Sequence, residues 1–326
     1  MFRSAMWLVA TALSMIGLGS AAAQEVTLRF AHTQPTSDTH HLATEWFAER
    51  VGELTDGRIA ISIHPAGELG NDPTILEGVR LGTIDIGQTG NPFYTRFEPS
   101  LNVLDLPYLF ADYDHVYRVV DGAVGEDLLG RLERHRMKGL AFWEIGFRKV
   151  TNDVRAVHDP ADLEGLKIRT TPNPAHVQAF ELWGAIPTPM PFTEVYLALE
   201  TGTVDGQENP LNIIRSNRFQ EVQGHLSFTD HAYTVSIVSM NLARFNGLAP
   251  ELRDALVQAA REAAVYQREL NANQATGDLE AIEAAGVEVV RDIDKEAFRA
   301  VVFDEVKATY EAQFGPETVQ AITALR

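Results

Sequence analysis

The sequence contains no cysteine among its 326 residues. This absence excludes disulfide bridges, thiolate metal sites and thiol nucleophiles, and it also excludes a lipid anchor attached to cysteine. The stability of the chain must therefore come from an apolar core. With 45% hydrophobic residues, the chain is long enough to form one large domain or two domains of medium size.

Basic residues are few compared with acidic ones. The 27 lysines and arginines and the 45 aspartates and glutamates give a formal net charge of -18, and loss of Arg3 with a leader would make it -19 (26 minus 45). Such a surface repels phosphate backbones and anionic lipid, so nucleic acid is excluded as a partner. Because the same field repels small anions, an anion site needs a local concentration of donors, which makes each buried arginine informative.

The apolar run near the start of the chain is too short for a permanent membrane span. It extends from Met6 to Leu18, after Arg3 and before Ala21-Ala22-Ala23. This order is typical of a secretory signal peptide with an A-x-A cleavage site, whereas a permanent helix needs about 20 apolar residues. We predict that residues 1–23 are removed and that the mature chain, beginning at Gln24, does not insert into the membrane. An uncleaved anchor is the alternative.

Common catalytic and metal-binding motifs are also missing. The sequence has no G-x-S-x-G, no phosphate loop, no G-x-G-x-x-G after a strand and no H-E-x-x-H. His40 and His41 are adjacent, so on a helix they point in different directions and form a poor metal site. We therefore predict no metal and no cofactor. A secreted enzyme remains an alternative class, although no residue pattern supports it.

Hydrophobic periodicity predicts two α/β units. Residues 26–31, 59–63 and 84–86 are predicted strands, with helices at 40–54 and 73–81 between them. The second unit has predicted strands at 140–147, 166–169 and 204–205, a loop at 151–162, and helices at 174–183 and 193–201. The strand and helix alternation of the first unit favours a parallel sheet with helices on both faces.

The two units are predicted to be interwoven. Residues 233–240 are apolar and β-branched enough to form a strand, and residues 250–283 keep helical periodicity for about thirty residues, against a mean helix of about 11. A helix of this length can bridge two lobes. Because no Gly/Ser linker separates the units, crossing strands should connect them.

Two arginines are placed at predicted strand ends. Arg148 lies in GFRKVTN, residues 146–152, and Arg169 lies in LKIRTTPNP, residues 166–174. Ligands of open α/β sheets bind beyond the carboxyl ends of strands, where a guanidinium can make two parallel hydrogen bonds to a carboxylate. Alternatively, each arginine neutralises a nearby carboxylate or braces a domain boundary.

These two motifs combine with GRIAISIHPAGELG, residues 57–70, and GAIPTPMPFTEVYLALETGTVDGQENP, residues 184–210. In sequence and spacing, over essentially the whole mature chain, they resemble the solute-binding subunits of tripartite ATP-independent periplasmic (TRAP) transporters. That family includes C4-dicarboxylate and sialic-acid binding proteins. The resemblance implies a periplasmic location and a two-lobed periplasmic binding protein fold, with crossing strands and a long bridging helix. Lobe I would comprise 24–146 plus about 235–274, and lobe II 147–234 plus about 275–326.

The resemblance also implies site residues in lobe II. Arg169 matches the arginine that binds the ligand carboxylate in a bidentate manner, and Arg148 matches a second donor to the acid or to a neighbouring hydroxyl. Asn209 would add a polar contact and Phe192 an apolar wall. Alternatively, Asn209 caps the turn before Pro210 and Phe192 belongs to the core.

In lobe I, Thr33 and the Gly90-Asn91 turn align with positions that contact ligands in the family. The sialic-acid branch has an asparagine and a glutamate where this chain has Thr33 and Gly90, so sialic acid is not predicted. The alternatives for Trp143, His231 and Tyr233 stay open, because each residue fits either the pocket or the core. We count Thr33 and Asn91 among the expected binding residues.

The resemblance implies a non-enzymatic receptor that closes its lobes around a small organic acid. It would deliver the acid to the small and large membrane permease subunits of a TRAP transporter. Two arginines with several amide and hydroxyl groups favour a hydroxylated monocarboxylate, such as a sugar acid or hydroxy acid, and a C4-dicarboxylate is the alternative ligand. A receptor for an ATP-driven transporter or a sensor is the alternative class.

Overall fold

The computed structural model describes residues 26–326. The predicted signal peptide lies outside these residues. Strands and helices are numbered below in chain order. Among the described residues, no helix is both long and apolar enough to cross a membrane.

The first sheet has five strands in the order β2-β1-β3-β10-β4. They are β1 (Val26–His32), β2 (Ile59–His64), β3 (Ile86–Gly90), β4 (Met137–Phe147) and β10 (Tyr233–Asn241). The predicted parallel arrangement is confirmed for β1, β2 and β3. The strand predicted at 233–240 is β10, which is antiparallel to both β3 and β4, because it reaches this sheet by crossing from the second sheet rather than through a helix.

The second sheet has six strands in the order β11-β9-β5-β8-β6-β7. They are β5 (Lys149–Asn152), β6 (Lys167–Thr170), β7 (Ile186–Pro189), β8 (Gly206–Asn209), β9 (His225–Ser227) and β11 (Glu288–Val290). The loop predicted from Thr151 is wrong at its start, because Thr151 and Asn152 pair with β8 and β9. The strand predicted at 204–205 begins instead at Gly206.

Helices cover the faces of both sheets. They are α1 (Thr39–Leu54), α2 (Asp72–Leu81), α3 (Asn91–Tyr94), α4 (Tyr113–Val120), α5 (Ala123–Gly130), α6 (Pro174–Leu182), α7 (Val195–Glu200), α8 (Leu211–Ser216), α9 (Leu242–Asn246), α10 (Pro250–Ala284), α11 (Lys295–Phe314) and α12 (Glu317–Thr323). Side-chain caps fix several helix starts: Asp38 accepts a hydrogen bond from the His40 amide, and Asn71 accepts one from the Thr74 amide.

Three segments connect the two lobes, as predicted for crossing strands and a long helix. Strand β4 continues through Arg148 into β5, and β10 returns from the second sheet to the first. The Arg148 amide donates to the Ala232 carbonyl at 2.8 Å, which ties the two crossings together. Gly146 at this crossing has a φ of +120°, a backbone conformation that residues with a side chain rarely adopt. Helix α10 is the third connection, packing on α1 and β4 and also on α8.

The C-terminal helix returns to the first lobe. The His115 ring donates from Nε2 to the Ile322 carbonyl at 2.9 Å, because its Nδ1 accepts from the Ala111 amide. Arg118 donates to the Leu325 carbonyl at 2.8 Å. The last ten residues therefore form a further contact between the lobes, because they follow lobe II in the chain and bind α4 of lobe I.

Candidate functional site

A cavity lies between the two sheets, where several strands end. Its wall consists of Gln34, Asp72, Gly90, Pro92, Phe93, Ile145, Arg148, Arg169, Thr171, Phe192, Asn209, Ile213 and Thr234. Gly90, Arg169 and Asn209 come from the carboxyl ends of β3, β6 and β8, the position at which open α/β sheets bind ligands. Four of the six residues expected from the sequence, namely Arg148, Arg169, Phe192 and Asn209, are in this wall.

The lobes are closed over this cavity. Its volume is about 30 Å³, far below the ~300 to 1,000 Å³ of usual ligand sites. Ser216 donates to the Asp38 carboxylate at 2.6 Å, and Asn217 donates to Gln34 Oε1 at 3.1 Å, so α8 of one lobe is joined to the start of α1 in the other. An organic acid can enter only if the lobes separate.

Arg169 is a buried cation with unused hydrogen-bonding capacity. Its side chain is 1% exposed, and Nη2 donates to the Met190 carbonyl at 2.7 Å, but Nε has no hydrogen-bond partner. Within residues 26–326, no carboxylate lies within 4.0 Å of its guanidinium. Burial lowers the pKa of Arg169 to about 10, with the neighbouring Arg148 charge acting in the same direction. The group therefore stays charged at neutral pH.

Arg148 is committed to a carboxylate, the alternative that the sequence left open. Its Nε and Nη2 both donate to the Glu208 carboxylate, with Nη2 at 2.9 Å from Oε1. Nη2 also donates to Asn209 Oδ1 at 3.1 Å. Burial alone would raise the pKa of Glu208, but the Arg148 charge and a hydrogen bond from His231 hold it below its usual range. The pair is a buried, charge-neutral unit beside the cavity.

Two alternatives were open for Asn209 and for Phe192, and only Phe192 combines them. Asn209 donates from Nδ2 to Gln207 Oε1 at 2.6 Å, and helix α8 after Pro210 has no side-chain cap, so Asn209 does not cap that turn. The Phe192 ring centroid lies 6.0 Å from the Arg169 guanidinium and 6.0 Å from the Phe219 ring. Phe192 thus belongs both to the cavity wall and to the apolar cluster behind it.

Lobe I contributes different residues from those expected. Thr33 and Asn91 are not in the cavity wall, where Gln34, Asp72 and Gly90 are found instead. Asn91 begins α3, and its Nδ2 donates to the Leu101 carbonyl at 3.0 Å and to Asp105 Oδ2 at 2.6 Å. The turn at Gly90 therefore directs the Asn91 side chain into lobe I.

Thr33 does not line the cavity but binds a residue that does. Its hydroxyl donates at 3.3 Å to Oδ1 of Asp72, which is in the wall. Burial raises the pKa of Asp72 to about 6, although the Arg169 charge opposes the shift. Asp72 and Glu208 are the two acidic groups that the sequence analysis did not assign to the site. Among 45 acidic residues, neither stands out, because only burial distinguishes them.

The three residues with open alternatives lie outside the cavity wall. Trp143 donates from its ring to the Ala260 carbonyl at 2.9 Å and stacks on Phe30, so it is a core residue. Tyr233 donates to Glu144 at 2.8 Å. His231 lies behind the site, with Nε2 at 3.3 Å from the Glu208 carboxylate.

His40 and His41, which are adjacent in the sequence, have different neighbours. His40 Nδ1 lies 2.7 Å from the Asp38 carboxylate, and His41 Nδ1 lies 3.2 Å from His32 Nε2. The two rings thus face different neighbours. Across residues 26–326 there is no group of three or more histidine or carboxylate side chains that could hold a metal ion.

Asp105 carries a pH-dependent contribution to stability that can be measured. It is fully buried and accepts hydrogen bonds from Asn91, Asn173 and Thr234. Burial raises its pKa to about 7 from 3.8. Its contribution to stability is therefore complete below pH 3.8 and is lost as the pH rises to about 7. The span of (7 − 3.8) pH units corresponds to at most ~4 kcal/mol.

We expect Asp105→Asn to remove this dependence. The free energy of unfolding of the wild type minus that of the variant, from urea titrations, should fall steadily between pH 4 and pH 8. Most other titrating groups contribute equally to the two free energies of unfolding, so their contributions cancel in the difference. His176, 3.8 Å away, has its pKa lowered to about 3 by burial and stays neutral in this range. A difference that does not change with pH would contradict the prediction.

Comparison with known proteins identifies the fold and the family. Residues 30–313 match the profile of DctP, described as bacterial extracellular solute-binding protein, family 7. The 2,3-diketo-L-gulonate-binding periplasmic protein YiaO of Escherichia coli is 43% identical over 295 residues, which are 90% of this chain and 89% of the relative. The C4-dicarboxylate-binding periplasmic protein DctP of Rhodobacter capsulatus is 31% identical, covering 97% of this chain and 95% of the relative.

A solved structure gives the same result. The TRAP periplasmic solute-binding protein of Polaromonas sp. JS666, bound to D-erythronate, superposes with a TM-score of 0.89 at 35% identity. The match covers 92% of this chain and 99% of the Polaromonas chain. The predicted two-lobed α/β fold is therefore confirmed.

Proposed function

Because this chain belongs to the bacterial extracellular solute-binding proteins of family 7, the TRAP receptors, we propose that its ligand is a hydroxylated monocarboxylate such as a sugar acid. The acid would be held between the lobes with its carboxylate on Arg169. The observation that carries this proposal is that the Arg169 guanidinium forms no ion pair with a carboxylate of residues 26–326. A buried cation is costly unless it is paired, and Arg169 is placed where a ligand carboxylate can supply the missing charge.

The comparisons support a sugar acid more than a dicarboxylate. The relative named for 2,3-diketo-L-gulonate is 43% identical to this chain, and the relative named for C4-dicarboxylates is 31% identical. The D-erythronate complex adds a four-carbon hydroxy acid in a closely similar fold. A C4-dicarboxylate remains the second candidate, supported by the 31% identity over nearly the full chain.

The mechanism follows from the closed lobes. Arg169 and Asn209 belong to one lobe, and Gln34, Asp72 and Gly90 to the other, so an acid held between them stabilises the closed state. The closed receptor then docks on the small and large permease subunits of a TRAP transporter, in the periplasm. Removal of residues 1–23 would release the mature chain there. The role of this chain is to bind and deliver the acid without chemical change.

A thermal-shift screen tests the ligand class. The panel should contain D-erythronate, L-galactonate, D-galactonate, D-glucuronate, 2,3-diketo-L-gulonate, pantoate and succinate. A ligand present at 100 times its dissociation constant raises the free energy of unfolding by ~2.7 kcal/mol, which is readily detected as a higher melting temperature. We expect at least one hydroxylated monocarboxylate to give a larger shift than succinate. A shift with succinate alone would favour the dicarboxylate, and no shift with any acid would contradict the proposal.

A further inference from the structure

A hydrogen bond outside the wall of the ligand cavity joins the two lobes. The Ser216 hydroxyl, at the end of α8 in lobe II, donates to Oδ2 of Asp38, just before α1 in lobe I, at 2.6 Å. Neither residue belongs to the wall of the ligand cavity. Both line a separate polar cleft of about 240 Å³, which also includes residues of α10. This contact therefore joins the lobes without being part of the ligand site.

Asp38 is a fixed and charged acceptor. Its side chain is buried and caps α1, because Oδ1 accepts from the His40 amide at 2.9 Å and lies 2.7 Å from His40 Nδ1. Burial alone would raise the pKa of Asp38, but hydrogen bonds from His40 and Ser216 hold it below its usual range. Hydrogen bonds to a charged group are roughly twice as strong as neutral ones. The bond from Ser216 is therefore a strong one.

Lobe II presents the donor in a defined orientation. Ser216 is the last residue of α8, and Nδ2 of the next residue, Asn217, donates to the Ser216 Oγ at 3.1 Å. Because the hydroxyl oxygen accepts from Asn217, its own proton is directed to Asp38. Asn217 also donates to Gln34 Oε1 at 3.1 Å, which adds a second bond between the lobes.

Separation of the lobes affects the two oxygens of Asp38 differently. The bonds of Oδ1 are made to His40, in the same lobe and two residues away, so they are kept when the lobes open. The described partner of Oδ2 is Ser216, in the other lobe. Movement of α8 away from α1 removes this bond. Its free energy therefore stabilises the closed arrangement of the lobes and not the open one.

We propose that Asp38, Ser216 and Asn217 form a latch that exists only in the closed receptor and that sets how long a bound acid is retained. The inference rests on the proposed function and deepens it. The residues of the cavity wall select the acid, whereas the latch stabilises the closed state for every acid alike. Since apparent affinity includes the closing equilibrium, a weaker latch lowers all affinities by the same factor. Ser216 and Asn217 are thus positioning residues.

The variant Ser216→Ala removes the donor and leaves the cavity wall intact. Calorimetric titration with each acid that binds the wild type should show weaker binding by one common factor of ~10- to 100-fold, as expected for a hydrogen bond to a charged group. Stopped-flow kinetics should show faster release and an unchanged association rate, because closure follows the encounter with the ligand. The melting temperature without ligand should equal that of the wild type, since the open receptor lacks the bond.

Two variants control for the loss of a hydroxyl. Ser216→Thr keeps the donor and should retain most of the affinity. Ser62→Ala is the matched control, because the Ser62 hydroxyl lies 3.2 Å from His64 Nε2 within lobe I. A bond inside one lobe is present in both the open and the closed state, so its loss should change neither the affinities nor the release rates.

A double-mutant cycle tests the coupling across the lobes. Asp38→Asn removes the charge and keeps a residue that caps helices well. In this background, Ser216→Ala should weaken binding by much less than in the wild type, because the charged acceptor is already gone. Effects of the two substitutions that multiply independently would show that the side chains are not coupled, and would disprove the latch.

The remaining results distinguish this inference from the proposed function. If the wild type binds a sugar acid and Ser216→Ala binds it equally well, the latch is disproved and the receptor function stands. If the loss of affinity differs clearly from one acid to another, or lies in the association rate, Ser216 acts on the ligand and the latch is again disproved. If the wild type binds none of the acids of the screen, the proposed function fails, and the inference fails with it.

Discussion

Replacing Arg169 with alanine should abolish measurable binding of organic acids and leave the fold intact. The ligand carboxylate would be buried without its counter-charge, and breaking a buried ion pair by removing one partner costs ~3 to 5 kcal/mol. That is roughly two to four decades in affinity. The fold should tolerate the change, because the described contacts of Arg169 include a hydrogen bond to the Met190 carbonyl but no ion pair. Calorimetry and thermal melting measure the two effects separately.

Two further variants make this result specific. Arg169→Lys keeps the charge but loses the planar fork of donors, so it should also weaken binding. Arg218→Ala removes one positive charge from the same lobe, where Arg218 is 69% exposed and paired with Glu221, and it should not change the affinity. Binding by Arg169→Ala that equals binding by the wild type would disprove the assignment. A similar loss in Arg218→Ala would point to long-range charge effects instead.

The arginines were predictable because their positions follow from strand ends. Arg169 is the third residue of a four-residue strand, and the carboxyl end of that strand faces the cavity, as the sequence indicated. The partner of Arg148 was not predictable. Glu208 lies sixty residues away in the chain, and the pairing depends on β5 and β8 being neighbours. Strand order of this kind is decided by tertiary packing and leaves no local pattern in the sequence.

On the lobe I side of the site, the predicted contact residues differ from the residues of the cavity wall by one position in the chain. The sequence placed the contact at the Gly90-Asn91 turn and at Thr33, and the cavity wall contains Gly90 and Gln34. Thr33 and Gln34 lie in the bend after β1, and Asn91 begins α3, so at both places a shift of one residue exchanges a wall residue for one whose side chain contacts other groups. The long helix was predicted closely, at 250–283 against Pro250–Ala284, because its periodicity repeats over many turns.

Replacing Glu208 with glutamine should have the largest effect on stability. Arg148 would keep its charge in a fully buried position, and the loss of one member of such a pair costs ~3 to 5 kcal/mol. His231, whose ring lies 3.3 Å from the same carboxylate, would lose its charged acceptor as well. Urea denaturation should show a correspondingly lower free energy of unfolding. Glu221→Gln is the control, because its ion pair with Arg218 is exposed and such pairs contribute at most ~1 kcal/mol.

A double variant, Arg148→Met with Glu208→Leu, separates the structural role of the pair from a role in binding. Replacing a buried ion pair with apolar side chains of similar size is often neutral or stabilising, so the free energy of unfolding should return to near the wild-type value. Affinity for the acid should not return, because the donor expected from Arg148 is gone and Asn209 loses the hydrogen bond that orients it. A stable double variant with wild-type affinity would show that Arg148 serves only to neutralise Glu208, and that Arg169 alone holds the carboxylate.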